Sequence, residues 1–527
     1  MEIGNFKRDF TRMFNPDSIA VVGASNSLGK WGFMIPMNII GGGYRGELLM
    51  VNPNEDNVLG FPTFRTLSDI KRQVDLVVVT IPARKVEAVV EEAASIGAKN
   101  MLVVSSNFSE AGGEGTELER KLALTANEHE ITIIGPNTMG IFSASSSLCA
   151  LGTPVYPPTG RVGFISQSGN LGVQLLDWGK YRGVGFSRFI GCGNGANTGI
   201  AEYLEFLGED HLTEIIVLYV EGMQEGRRLL EAAENITPRK PIIVLKGGTG
   251  EQGSKAAMSH SGAMAGSMEL YHGMVEQAGM IPVETSEELI DLATAFSSLP
   301  LPRGDRVVVV TMGGGWGVVA ADACDREGVN LAALPDDLVK ELDTFLPEFW
   351  SRRNPVDLVG NLRRSDQLHA IDTIMKNDEI DLLIMMGTML GKEFFWHNLV
   401  LAVLRPLYQL VLKNIPRLPG VVQALVRGFK KSVSERQVEQ SREGSAGINL
   451  AEAWLWTDYS LVTHLNRLIA ATGKPIISVA MTESQKEKSG RMEGSGILTT
   501  QTPERAVYAA SKLSKYSAYV KRNGRRA

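Results

Sequence analysis

Short apolar runs alternate with mixed polar stretches along this chain, and their spacing predicts parallel β-sheets covered by helices. Ser18 to Val22, Glu47 to Val51, Asp75 to Ile81, Met101 to Ser105 and Ile131 to Ile134 read as strands, with a helix over Arg84 to Ile96. Runs apolar at successive positions suit strands buried on both faces. The pattern then repeats. After a Pro157-Pro158-Thr159-Gly160 linker, Val162 to Ile165, Glu214 to Val220 and Pro241 to Leu245 form a second set. After Pro300-Leu301-Pro302, Arg306 to Val310, Ile380 to Met386 and Pro475 to Ala480 form a third. The 527 residues thus divide into three α/β units, expected at 1–150, 158–298 and 303–520, the last carrying an insertion at about 392–460.

Each unit opens with a strand, a small-residue turn and a helix. In the first, Val22 runs into Gly23-Ala24-Ser25 and on to Gly29 and Gly32. Such a turn sets backbone N–H groups and a helix N-terminus against a phosphate, as in a Rossmann fold. A nicotinamide site normally has a carboxylate closing the second strand, to hold the ribose hydroxyls. Here that strand ends Val51-Asn52-Pro53, which disfavours NAD and an NAD-dependent dehydrogenase and suits a nucleotide with a phosphorylated ribose, such as coenzyme A. The second unit has Ser166-Gln167-Ser168-Gly169, and the third has Gly313-Gly314-Gly315-Trp316-Gly317. Both are anion seats by construction.

Two residues add chemistry to these turns. His260 lies among small residues (Ser259, Ser261, Gly262), with Gly247, Gly248, Gly250 and Gly253 upstream, so it is presented on a loop. Imidazole is a nucleophile near neutral pH and can carry a phosphoryl group. Glu221 ends an apolar run and precedes Gly222, a position from which it can accept one imidazole N–H and leave the other nitrogen for attack.

Composition narrows the function classes without changing this picture. Hydrophobic residues make up 44% and the net charge is −6, which argues against a nucleic-acid binder. Cys149, Cys192 and Cys324 lie far apart, with neither metal-ligand spacing nor a disulfide framework, and no metal is expected. The segment Met1-Glu2-Ile3-Gly4 has no basic-then-apolar leader, and no run approaches the roughly 20 apolar residues of a membrane span; the cytoplasm is expected.

At the level of ordered motifs, the chain resembles the NDP-forming acyl-CoA synthetases. The likeness is to the α subunit of ADP-forming acetate–CoA ligase and, more distantly, to that of succinyl-CoA synthetase. It rests on Val22 to Ser25, Asn52-Pro53, Gly135-Pro136-Asn137, Phe164 to Gly169, Tyr219 to Gly222, Pro241 to Gly247, Ser259 to Gly262, Gly313 to Gly317 and Asn354 to Asp357. The resemblance implies a CoA-binding Rossmann domain followed by two flavodoxin-like CoA-ligase domains. It implies that Gly23, Ala24, Ser25, Asn52, Pro53, Ile81, Pro82, Pro136 and Asn137 line the CoA site, and that Ser166, Gln167, Ser168, Gly169, Gly313, Gly314 and Gly315 hold phosphate. It also implies that Glu221 orients His260, which relays a phosphoryl group between an acyl phosphate and ADP. The carboxylic acid, CoA and phosphate would be the small-molecule partners.

Several departures shape the expectation. The three units leave no room for an ATP-grasp domain, so ATP or ADP with Mg2+ is expected on a partner ATP-grasp β subunit. Ser261 stands where the family has threonine, Trp316 where proline is common, and Gly193 to Thr198 lacks the usual aspartates. That last change and the insertion motivate a second reading, a non-catalytic CoA-binding or scaffold protein. Within the insertion, residues 404–431 carry Arg405, Lys413, Arg417, Arg427, Lys430 and Lys431, no acidic residue, and interleaved leucines and valines. A helix pair broken at Pro416 and Pro419 is expected there, packed on its host, docked on a partner protein or lying on an anionic membrane.

Overall fold

The computed structural model describes residue 6 and residues 8–222, 226–255, 268–359, 364–387, 458–480 and 497–523. His260 and the basic stretch 404–431 lie outside the described residues. The described strands form three sheets, and the chain divides into two compact units, one of residues 1–298 with 512–527 and one of residues 299–511.

The first sheet contains β1 (Ser18–Val22), β2 (Glu47–Val51), β3 (Asn57–Val58), β4 (Phe61–Phe64), β5 (Leu76–Val79), β6 (Asn100–Val103) and β7 (Thr132–Ile134). Their order is β3-β4-β2-β1-β5-β6-β7. β1 lies parallel between β2 and β5, with Val22 level with Val51 and Val79, so the three C-terminal ends align. β1, β5, β6 and β7 are buried at every position, as strands covered on both faces must be.

The second sheet contains β8 (Gly140–Ser143), β9 (Leu148–Leu151), β10 (Thr159–Ser166), β11 (Phe186–Gly191), β12 (Ile215–Val220), β13 (Ile242–Lys246) and β14 (Ile281–Val283), in the order β14-β13-β12-β10-β11-β8-β9. β8 and all but the last residue of β9 fall within the stretch 1–150, yet they form an antiparallel hairpin on β11 and belong to this second sheet. Arg188 of β11 fixes them there, donating to Ser143 Oγ at 2.6 Å and Ser145 Oγ at 2.7 Å.

The first two sheets share one core. The helix Phe10–Phe14 packs Phe14 on Phe206 at 5.1 Å and 15°, and Phe10 against Tyr203 at 5.7 Å. Burial of Phe10 and Phe14 contributes about 1.5–3 kcal/mol each, with roughly 1 kcal/mol more from the ring pairs. This is why residues on either side of the 157–160 linker group into one compact unit.

The second unit holds β15 (Arg306–Thr311), β16 (Asn330–Leu331), β17 (Val356–Asp357), β18 (Leu382–Met386), β19 (Ile476–Val479) and β20 (Thr499–Thr500), ordered β16-β15-β18-β19-β20 with β17 beside β15. The C-terminal helix Pro503–Asn523 belongs to this unit up to Ser511 and to the first unit from Lys512 onward.

A charge pair guards the start of β15. Asp381 accepts from Arg306 Nε at 2.8 Å, Nη2 at 3.0 Å and the backbone N–H at 3.1 Å. Burial pushes the Asp381 carboxyl up, but the bonds and charge of Arg306 outweigh it and the net shift is downward. A carboxylate held below its unfolded value contributes stability at neutral pH and loses it as pH falls through the folded value. The second unit is therefore expected to lose stability below about pH 4, and Asp381→Asn to cost about 2–4 kcal/mol at pH 7 but much less in acid. Thermal melts of both chains across pH check this; equal loss at every pH would remove the ion pair as the cause.

Candidate active site

Parallel α/β sheets place their chemistry at the C-terminal ends of the strands, and two clusters occupy such ends in the first unit. The first lies where β10, β12 and β13 finish. Ser166 is fully buried, and its hydroxyl donates to Ser168 O at 2.7 Å, which closes the turn tightly. Gln167 reaches across to the end of β12. Its Nε2 donates to Gly222 O at 2.9 Å, while its Oε1 accepts from Gly222 N at 3.0 Å and, closely, from Glu221 N. One amide therefore clamps the backbone of Glu221 and Gly222 from both sides.

Lys246 completes the frame from β13. Its ammonium donates to Glu221 O at 2.7 Å and to Gly247 O, so it ties the β12 end to the residue where the glycine-rich segment begins. Burial pulls the Lys246 ammonium down, and the nearby Glu221 charge partly offsets that. The Tyr219 hydroxyl donates to Glu221 Oε1 at 3.2 Å. Burial, then the charge of Glu221 and this bond, push Tyr219 up to about 12, so it stays a neutral donor near pH 7. Glu221 is thus held at its N–H, its C=O and one carboxylate oxygen.

Directly beside Gln167, the helix Gly169–Tyr181 begins. Ser168 makes no side-chain cap, and the first turn has no acidic residue. The positive end of the helix dipole is left for an anion. In the second unit, the helix Gly314–Glu327 follows Gly313 in the same way, again without a side-chain cap or an acid in its first turn. There, however, the Asp357 carboxylate sits close enough that a Cβ on Gly314 would lie 3.2 Å from its Oδ2. That negative charge offsets part of the helix-end potential. Trp316 is 45% exposed in the same first turn.

The second cluster of the first unit surrounds the turn after β1. A Cβ on Gly32 would lie 1.9 Å from Gly23 O, so only glycine lets the turn fold back on its helix. The turn spends most of its own amides: Gly23 N donates to Val51 O, Ser25 N to Gly32 O, Asn26 N to Glu55 and Ser27 N to Ser25 Oγ. Asn52 is close to this turn and acts on its backbone, donating from Nδ2 to Ala24 O at 2.7 Å and accepting from Asn54 N at 2.7 Å. Glu55 accepts from Ser25 Oγ at 3.1 Å and Asn26 Nδ2 at 2.6 Å. Gly23, Ala24, Ser25, Asn52 and Pro53 are thereby brought together. Ile81 adjoins them, since a Cβ on Gly23 would lie 2.6 Å from its Cγ2, and Pro82 follows as the cap of a short 3-10 turn.

Pro136 and Asn137 sit at the exit of β7 and meet the 193–198 loop. Asn137 N donates to Ser105 O, while Asn194 N donates to Pro136 O at 2.9 Å. The Asn194 side-chain amide faces two carboxylates, donating to Glu110 Oε2 at 2.6 Å and Glu119 Oε2 at 2.7 Å. Asn197 donates to Ile131 O at 2.8 Å and accepts from Ile133 N at 3.0 Å. An aspartate at 194 would set three carboxylates together, so asparagine there follows from its neighbours. At position 194, then, the departure has a local structural setting.

The sequence assigns no role to Glu55, Tyr219 or Lys246, though the last two fall within matched motifs. Lys246 had a usable signal: a lysine ending an apolar run just before two glycines. Glu55 had none, since its role depends on how the chain folds back after Asn52. Among the described residues no group of His, Cys, Asp or Glu has metal-binding geometry, and no helix is long and apolar enough to cross a membrane.

Comparison with known proteins places the family. The chain matches the CoA binding domain over residues 17–144, the succinyl-CoA ligase like flavodoxin domain over 159–296 and the ligase-CoA domain over 307–425. It is 40% identical over 355 residues to acetate–CoA ligase [ADP-forming] I subunit alpha of Pyrococcus furiosus, which covers 66% of this chain and 76% of that one. It is 36% identical over 377 residues to acetate–CoA ligase [ADP-forming] I of Archaeoglobus fulgidus, covering 72% of this chain and 54% of that one. The chain thus spans about half the length of the Archaeoglobus relative. A solved structure of dinucleotide forming acetyl-coenzyme A synthetase 1 from Ca. Korarchaeum cryptofilum, in complex with phosphate and ADP, superposes with a TM-score of 0.80 at 29% identity, covering 98% of this chain and 99% of that one. With its two glycine-turn clusters and these relatives, the chain belongs to the family of ADP-forming acetate–CoA ligases and aligns with their α subunits.

Proposed function

We propose that the chain is the α subunit of an ADP-forming acyl-CoA synthetase, with CoA on the turn after β1 and phosphoryl chemistry at the Gln167–Glu221–Lys246 frame. The observation that carries this reading is the double-sided clamp of Gln167 on Glu221 and Gly222, beside the uncapped start of the 169–181 helix. A carboxylate fixed at backbone level next to a positive helix end suits an imidazole that is alternately neutral and phosphorylated.

The steps balance as follows. A phosphate oxygen attacks the thioester carbonyl carbon; the C–S bond breaks, and CoA leaves as thiolate and takes a proton. A nitrogen of His260 attacks the phosphorus of the acyl phosphate, the P–O bond to the acyl group breaks, and the carboxylate departs. The terminal oxygen of ADP then displaces the histidine, forming ATP. Of the Ser166–Gly169 turn, the N–H groups of Ser168 and Gly169 hold the phosphoryl oxygens, while Gln167 N is spent on Tyr219 O and Ser166 closes the turn. Gly314 and Gly315 offer a second seat after Gly313, whose own N–H is spent on Thr311 Oγ1, and Asp357 weakens it. Glu221 accepts the His260 N–H and stabilises its charge. The ADP, with its Mg2+, belongs to a separate ATP-grasp subunit. Asn52 and Glu55 shape the CoA turn through its backbone.

The test is labelled phosphate transfer. The chain is incubated with acetyl-CoA and labelled phosphate, or with labelled ATP and an ATP-grasp subunit. Acid-labile, base-stable label on the chain is expected; absence of label in both arms refutes the reading. For the CoA turn, Glu55→Ala removes several anchoring bonds at a half-exposed site. It is expected to raise the KM for CoA about three- to tenfold with little change in kcat, read by steady-state kinetics. An unchanged KM would detach Glu55 from CoA binding.

A further inference from the structure

The first unit has a further candidate site, on the edge of the second sheet opposite the Gln167–Glu221–Lys246 frame. β10, β12, β13 and β14 run parallel, and Gln167, Glu221 and Gly247 follow their C-terminal ends. At the N-terminal edge, where Met280 leads into β14, lies a hollow of about 490 Å³. The six residues of β12, at roughly 3.3 Å each, separate the two edges by on the order of 15–20 Å.

Three facts describe this hollow. It is rimmed by His272, Lys512, Lys515 and Arg522, against the single carboxylate of Glu276. Lys512, Lys515, Tyr519 and Arg522 recur at spacings of three, four and three along the C-terminal helix, which puts them on one face. Tyr516 and Tyr519 supply an aromatic wall, stacked at 6.3 Å and 22°.

The wall is rigid. The Tyr516 hydroxyl donates to Thr237 O at 2.9 Å, and the Tyr519 hydroxyl pairs with Thr237 Oγ1 at 2.9 Å. A Cβ on Gly279 would lie 2.2 Å from Tyr519, so the glycine lets the ring seat against the turn before β14. Fixed aromatic surface beside a row of cations on one helix face is what a planar base bearing phosphate needs. The ring stacks the base, and the ammonium and guanidinium groups take the phosphate oxygens. The volume lies within the range of small-ligand pockets.

We propose that this hollow binds a nucleoside phosphate, with Tyr519 against the base and Lys512, Lys515 and Arg522 around the phosphate. The site is independent of the CoA turn and of the phosphoryl frame. None of its residues takes part in the proposed reaction.

The test uses the full chain saturated with CoA, so that the turn after β1 is filled. AMP is titrated calorimetrically, with inorganic phosphate as the second probe. One AMP per chain is expected, bound more tightly than phosphate and weakened by added salt. Lys515 and Arg522 are both exposed, so the Lys515→Glu/Arg522→Glu chain should keep its fold, checked by circular dichroism. It should bind AMP at least tenfold more weakly, and Lys515→Gln/Arg522→Gln serves if the charge reversal disturbs the helix. Failure of AMP to bind, binding unaltered in these variants, or phosphate bound as tightly as AMP would each overturn the proposal. Loss in the variants cannot come from a failed reading of the reaction, because neither residue lies near that frame.

Discussion

Replacing His260 with asparagine is expected to abolish labelling of the chain and to lower turnover by about 10³-fold or more. Asparagine has similar bulk and polarity but no nucleophilic nitrogen, so the change removes the proposed carrier and alters little else. The deciding measurement is acid-labile label per chain, set beside the thermal midpoint. Loss of label with an unchanged midpoint assigns the phosphoryl carrier to His260. Label persisting on the variant would move the carrier elsewhere.

Gln167→Leu should have the next largest effect, through geometry. Leucine preserves bulk but leaves Glu221 N, Gly222 N and Gly222 O without the amide that now satisfies them. Part-buried backbone groups left unpaired cost about 1–3 kcal/mol in all, and a Glu221 displaced by a fraction of an ångström should lower kcat about 10²-fold. Gln167→Glu separates the two contributions. A carboxylate still accepts from both N–H groups and loses only the donation to Gly222 O, so it should recover part of the stability while placing a second negative charge where phosphate is to sit. If Gln167→Glu were as active as the native chain, neither the clamp nor the phosphate seat would lie where proposed. Steady-state kcat and thermal melts on the three chains read both quantities.

Much of this architecture was legible in the order of residues. The strands at Ser18–Val22 and Glu47–Val51 coincide with the predicted runs to the residue, because in each the three last positions are apolar and buried and a turn of small or polar residues follows at once. The turns at Gly23 and Ser166 were visible for the same reason: small residues there follow an apolar run. Lateral order was another matter. Nothing local in Gly140–Ser143 or Leu148–Leu151 indicates that they pair with β11 instead of continuing the first sheet. The clamp was equally hidden. Gln167 was named for its turn, but its partners lie 54 and 55 residues downstream, and that pairing follows only from β10 and β12 being neighbours. Asn52 has a role that its place in the sequence does not show: there it is only the absence of a ribose carboxylate, whereas its amide holds the turn by Ala24 O.

The hairpin β8–β9 also bears on modularity. The proline linker at 157–160 looks like the natural place to cut or recombine the first two α/β layers, yet a fragment ending there would carry two strands of its neighbour's sheet. The neighbour would be left with β11 as a bare edge, with its buried Arg188 deprived of Ser143 and Ser145. Exchange between relatives is therefore better made between β7 and β8, ahead of Gly140. There the swapped pieces would be whole sheets, and the seam would run through the Gly135–Asn137 turn, so both parents should agree in the loop that meets it.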